Sequence, residues 1–123
     1  MWQGVIIEES LKDKSLLEMV KIIKTSEANL ESETGRGVFH FHQYELDDAK
    51  EGEFIAKAKQ AIKPGFYLHL VKDDILLVVM VGVVMTASRG KDEEFKAIRD
   101  EAIKVGIHPD QLPLEQLIDN PFV

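Results

Sequence analysis

Hydrophobic and polar positions recur along this chain with two periods, and the switches between them mark out its elements. Val5-Ile6-Ile7, a β-branched run between Gly4 and the charged pair Glu8-Glu9, predicts a first strand. Residues 13–25 admit two readings. Leu16, Leu17, Val20 and Ile23 fit a helical stripe over 13–24, whereas KIIKT at 21–25 favours a second strand, and the strand is preferred. Residues 26–37 are polar and end in Gly35-Arg36-Gly37, which predicts an exposed loop with a hinge. The Gly-Arg-Gly spacing matches neither a dinucleotide fingerprint nor a phosphate loop.

A third strand is expected at 38–46. Asp47 or Asp48 then caps a helix whose Phe54, Ala58, Ala61 and Ile62 recur at helical spacing, and Lys63-Pro64-Gly65 stops it. Residues 66–71 and 75–86 flank Lys72-Asp73-Asp74, the economical pattern for a hairpin. The second arm is apolar on both faces, as in a strand covered on both sides, and Gly82 within it marks a bulge or a close contact. The last helix spans 92–105, with Phe95, Ile98, Ala102 and Val105 on one face, acids in its first turn and Gly106 as its stop. Beyond it, prolines exclude a long helix, so residues 107–123 are expected to be an ordered tail at most. The order β-β-β-α-β-β-α predicts a single α+β domain over 1–123: a largely antiparallel five-stranded sheet with two helices packed on one face.

Composition narrows the chemistry. At 123 residues, 45% hydrophobic and 30% charged, the chain has the size and make-up of one ordinary globular domain. The absence of cysteine removes disulfides, thiolate nucleophiles, iron–sulfur clusters and cysteine-ligated zinc. The start MWQGVIIEES has no basic region ahead of an apolar one. The longest apolar run, residues 75–85, is shorter than the roughly 18 residues a spanning helix needs, so no membrane partner and a cytoplasmic location are expected. With a net charge of −7 and no basic stripe, nucleic acid is not an expected partner either.

The stretches VIIEESLKDKSLLE, HQYEL, GFYLHL and VGIHPDQLPL together resemble a family of small uncharacterised prokaryotic proteins of unknown function that share this layout over almost the whole chain. Members carry a histidine matching His42, a glutamate matching Glu45 and an aromatic-tyrosine pair matching Phe66-Tyr67, whereas His40 and His69 fall where they carry other polar residues. The resemblance implies a compact cytoplasmic domain and no particular mechanism.

Three constellations offer chemistry. His40 and His42 alternate onto one strand face with Cα atoms about 6.5 to 7 Å apart, a spacing that lets two imidazoles share one metal. His69 on another strand is the expected third ligand, and Glu8, Glu9 or Glu45 would complete a histidine-carboxylate site able to activate water for hydrolysis. Against this, the histidines can sit on a half-exposed face while Phe39 and Phe41 fill the core from the other. Ser88, Arg89 and Lys91 open the last helix and form a candidate anion site for a metabolite, opposed by Asp92, Glu93 and Glu94 on the same turn. Finally, Tyr44 and His42 share a face, as do Tyr67 and His69. If those faces coincide, they make a groove for a small molecule or peptide, or a face buried by a second copy or by the tail. The expectation is therefore a small binding or interaction protein, self-associating through its sheet and needing no cofactor. A metal-dependent hydrolase and an anion sensor are the alternatives.

Overall fold

The computed structural model describes residues 1–28, 38–107 and 112–122. Its centre is an open sheet of six strands, all paired antiparallel: β1 (Trp2–Ile7), β2 (Lys21–Ala28), β3 (Phe39–Leu46), β4 (Leu68–Lys72), β5 (Ile75–Met80) and β6 (Val83–Ser88). The order across the sheet is β2-β3-β1-β4-β5-β6, so the first strand in sequence lies inside the sheet and β2 and β6 are its edges. The α-helices are α1 (Glu51–Ala61), α2 (Asp92–Lys104) and α3 (Leu114–Asp119).

The expected fifth strand is two. Gly82 is not a bulge within one arm, although its N–H does make a close contact, donating to Lys59 O at 3.1 Å. With φ of +72°, it closes a two-residue turn with Val81, and the chain doubles back so that Met80 faces Val83. An apolar run of this length hides such a turn, because only the glycine can take left-handed φ without strain and its neighbours remain hydrophobic.

The helices do not share one face, contrary to expectation. Alternation along β5 sends Leu77 and Val79 into a core with Phe54, Ala58 and Ala61 of α1. Leu76, Val78 and Met80 enter a second core with Phe95, Ile98 and Ala102 of α2 and Leu114, Leu117 and Ile118 of α3. A strand that is apolar at every position demands a cover on each side, and one helix layer cannot supply both.

The two readings of residues 13–25 divide the segment between them. A 3-10 helix, Lys14–Met19, buries Leu16 after Asp13 accepts a hydrogen bond from the Ser15 N–H, and β2 follows at Lys21. β2 extends to Ala28, into the stretch expected to be loop, and the hinge expected at Gly35-Arg36-Gly37 lies outside the described residues. α1 is entered through a 3-10 turn whose Ala49 N–H is met by the Asp47 carboxylate, as the sequence predicts. α2 ends in two successive bonds, Gly106 N–H to Ile103 O and Ile107 N–H to Ala102 O, around Gly106 at φ +89°. Val105, expected on the buried face, instead caps the helix and is 38% exposed.

The tail is more ordered than expected, since α3 begins directly after Pro113 and docks on β4 and β5. Arg99 of α2 holds it, bonding both carboxylate oxygens of Glu115 and donating to Leu112 O at 3.2 Å. Because the pair is partly solvated, Arg99→Ala is expected to lower stability by only about 1 kcal/mol. Thermal melting checks this. A loss no larger than that of Lys96→Ala, whose partner Asp100 lies 3.6 Å away on the same helix, would show that the clamp contributes nothing.

Candidate functional site

β1 gives way at Ile7 to a 3-10 turn, Glu8–Ser10, closed by the Ser10 hydroxyl donating to Ile7 O at 2.6 Å and the Leu11 N–H donating to Glu8 O at 3.1 Å. The turn decides the chemistry. In a continuing strand Glu8 and Glu9 would point to opposite faces, whereas here both carboxylates reach the first half of β3. Glu9 binds His40 twice, accepting from its backbone N–H at 2.6 Å and lying 2.6 Å from its Nδ1. Glu8 Oε1 lies 3.0 Å from His42 Nε2, which donates because a carboxylate can only accept.

β2 closes the cluster from the other side. Its register sets Thr25 opposite His42 and Glu27 opposite His40, so Thr25 Oγ1 lies 2.8 Å from His42 Nδ1 and Glu27 Oε1 lies 3.3 Å from His40 Nε2. Three carboxylates thus surround two imidazoles, and among the described residues the cation paired with them is Lys14, 3.7 Å from Glu8. The Glu9 carboxylate raises the His40 pKa above its ordinary value, with smaller contributions from Glu27 and Glu8. Burial pushes the Glu9 carboxyl upward, but the His40 backbone N–H and imidazole outweigh it and hold the pKa below the usual value.

Ligand atoms of Glu8, Glu9 and His40 all lie within 4.8 Å of one another. Such a grouping of carboxylates and imidazole is a candidate donor set for one ion, and His42 stands beside it, 3.0 Å from Glu8. A mixed oxygen and imidazole set without sulfur suits zinc, manganese or ferrous iron, and three protein ligands leave positions where water can bind and be polarised.

The structure therefore joins His40 and His42 to Glu8 and Glu9 but not to His69 or Glu45. His69 projects from the opposite sheet face, where its Nε2 donates to Pro121 O at 2.7 Å beneath the tail. Glu45 takes a hydrogen bond from Gln3. Nor do Tyr44, His42, Tyr67 and His69 form one groove. Tyr44 and His42 lie on the α1 side, while Tyr67 packs against the second core, on the α2 side. Tyr44 and His69 are also too buried to meet a partner, at 0% and 5% exposure.

The anion site expected at Ser88, Arg89 and Lys91 is already occupied by the protein's own acids. Arg89 bridges Asp74 at 2.9 Å and Asp119 at 2.7 Å, and Glu94 takes the Ser88 N–H at 2.9 Å. Sequence reasoning named Glu8 and Glu9 only as alternatives to complete a site. It missed Thr25 and Glu27, which no motif marks and which only the β2 to β3 register brings into place.

No helix among the described residues is long and apolar enough to cross a membrane. Comparisons with models of known families, with curated proteins and with solved structures find no match to this chain, so the functional reading rests on the geometry of the site.

Proposed function

We propose that this protein is a small cytoplasmic binding protein for a divalent transition-metal ion, held by Glu8, Glu9 and His40 with His42 as a flanking donor. The observation that carries the reading is the convergence of the ligand atoms of three side chains within 4.8 Å of one another, just past the end of β1 and at the start of β3. Two neighbouring carboxylates and a histidine brought together by a turn make an electronegative pocket, in which a cation replaces the His40 proton and relieves the crowding of like charges. Binding rather than catalysis is the reading, because the third histidine that the hydrolase alternative invokes lies across the sheet.

Isothermal titration of the full chain with zinc or manganese at pH 7.5 is expected to show one site and to release protons, so that the heat depends on the buffer's ionisation enthalpy. Removing a ligand with His40→Ala or Glu9→Gln should weaken binding by about tenfold or more. Lys57→Ala, outside the cluster, should leave it unchanged. Absence of binding by either metal at millimolar concentration, or binding that both ligand variants retain, would overturn the proposal and leave the cluster as a set of structural ion pairs.

A further inference from the structure

The two edges of the sheet are built differently. β2 carries Lys21, Lys24 and Glu27 and a register irregularity between Ile22 and Lys24, features that discourage another strand from joining. β6, Val-Val-Met-Thr-Ala-Ser, has no charge, no proline and no bulge, and pairs with β5 in unbroken register from Val83 to Ser88. No strand lies beyond it among the described residues.

The backbone groups of β6 that face outward can be identified. The Arg89 N–H donates to Asp74 O at 2.9 Å, continuing the β5 to β6 ladder past Ile75 and Ser88, so positions 83, 85, 87 and 89 direct their N–H and C=O groups inward. The intervening positions 84, 86 and 88 direct theirs away. Ser88 agrees, since its N–H meets Glu94 Oε1 rather than β5. Glu94 covers that one position, and among the described residues Val84 and Thr86 are left as the open pairing groups of the edge.

We infer that β6 pairs antiparallel with β6 of a second copy of this chain, about a two-fold axis at Met85, joining the two sheets. Only with the axis at Met85 does each open residue meet the other open residue, Val84 against Thr86 of the copy and Thr86 against its Val84. Each such pair exchanges two N–H···O=C bonds, about four in all. An axis at Thr86 would set Val84 against Ser88, whose N–H is already engaged. The Met85 axis places no charge opposite a like charge within the strand. It brings the Ser88 end, with Glu94, opposite the Gly82 end of the copy, where the Gly82 N–H bonds Lys59 O at the basic end of α1. Faces are preserved by such an axis, so Val84 and Thr86 stay on the α1 side of both sheets.

Sedimentation equilibrium of the full chain from about 10 μM to about 1 mM spans the affinities expected of a small edge-to-edge interface, and should show a dimer. Thr86 is exposed, so Thr86→Lys should keep the fold, checked by its circular dichroism and melting temperature, and should shift the dimer to monomer across this range. Because the chain has no native cysteine, Met85→Cys supplies a single thiol. At the axis, facing Cα atoms lie about 4.5 Å apart, within disulfide reach, and mild oxidation should give a covalent dimer. Thr25→Cys on β2 should not. A monomer at every concentration, a dimer that Thr86→Lys leaves intact, or crosslinking through Thr25 in place of Met85 would overturn the inference.

Discussion

Gly4→Ala is expected to abolish folding or to cost more than about 4 kcal/mol, an effect beyond the ordinary range for adding one methyl group. Gly4 occupies the middle of β1, opposite Tyr44 of β3. The Tyr44 side chain lies across it and donates its hydroxyl to His69 O on β4 at 2.6 Å, spanning the strand between them. A Cβ at residue 4 would sit 2.1 Å from that carbonyl oxygen and 2.9 Å from the Tyr44 hydroxyl. Space, rather than backbone freedom, makes glycine necessary here, because the φ of Gly4 is not among the positive values. The nearest atom is backbone, so relief requires β4 to move off β1, and trimming the tyrosine cannot supply it.

Tyr44→Phe should therefore not rescue Gly4→Ala. Alone, it should cost about 1–3 kcal/mol by leaving the buried carbonyl without its donor. Urea unfolding followed through the single tryptophan, Trp2, reads both variants. A Gly4→Ala midpoint equivalent to wild type within about 0.5 kcal/mol would sink the account.

Acid should loosen the protein through His69. Burial lowers its pKa to about 4, only partly offset by the bond to Pro121 O, which as a carbonyl accepts and so fixes the proton of the neutral ring on Nε2. In the unfolded chain the ring takes up a proton below about pH 6.5, while in the folded chain it stays neutral until about pH 4. Between these values the unfolded state binds more protons. Stability due to this group is therefore complete above the upper value, falls as pH drops towards the lower one, and changes no further below it. The span of about 2.5 pH units corresponds to a loss of about 3 kcal/mol.

His40 acts with the opposite sign, since its raised pKa adds stability in acid that is lost as pH rises. Stability measured by urea unfolding at intervals from pH 7.5 to 4 should fall steeply in wild type. It should fall less in His69→Gln, which keeps a donor for Pro121, and more in His40→Gln. Identical slopes in wild type and His69→Gln would remove the histidine from the explanation.

Much of the fold was legible because periodicity reports burial locally. Phe54, Ala58 and Ala61 mark α1, Phe95, Ile98 and Ala102 mark α2, and Gly65 and Gly106 stand just past their ends. The errors in strand number and helix placement share one cause, which is that periodicity is silent wherever both faces of an element are buried. Residues 75–85 are apolar throughout, so the turn at Gly82 leaves no polar interruption. The same run already required helices on both sides of the sheet, a demand at odds with placing them on one. The site was half legible. Alternation alone puts His40 and His42 on one face, but the turn that swings Glu8 and Glu9 together and the pairing that delivers Thr25 and Glu27 are set by contacts between distant segments. His69 was grouped with His42 by residue type, whereas the face on which a strand residue emerges depends on register.

The interior position of β1 also bears on the order in which the chain can be assembled. One flank of β1 meets β3, which ends at Leu46, and the other meets β4, which begins only at Leu68. At the usual rate of synthesis, about 5–20 residues per second, β4 follows β1 from the ribosome by roughly 3 to 13 seconds, and for that interval the flank over Gly4 has no partner strand. β4, β5 and β6 need only short turns to pair, so a nascent meander can form as soon as it emerges. The sheet is then completed by the joining of two halves, and Tyr44 can reach across Gly4 to the His69 carbonyl only once they have met.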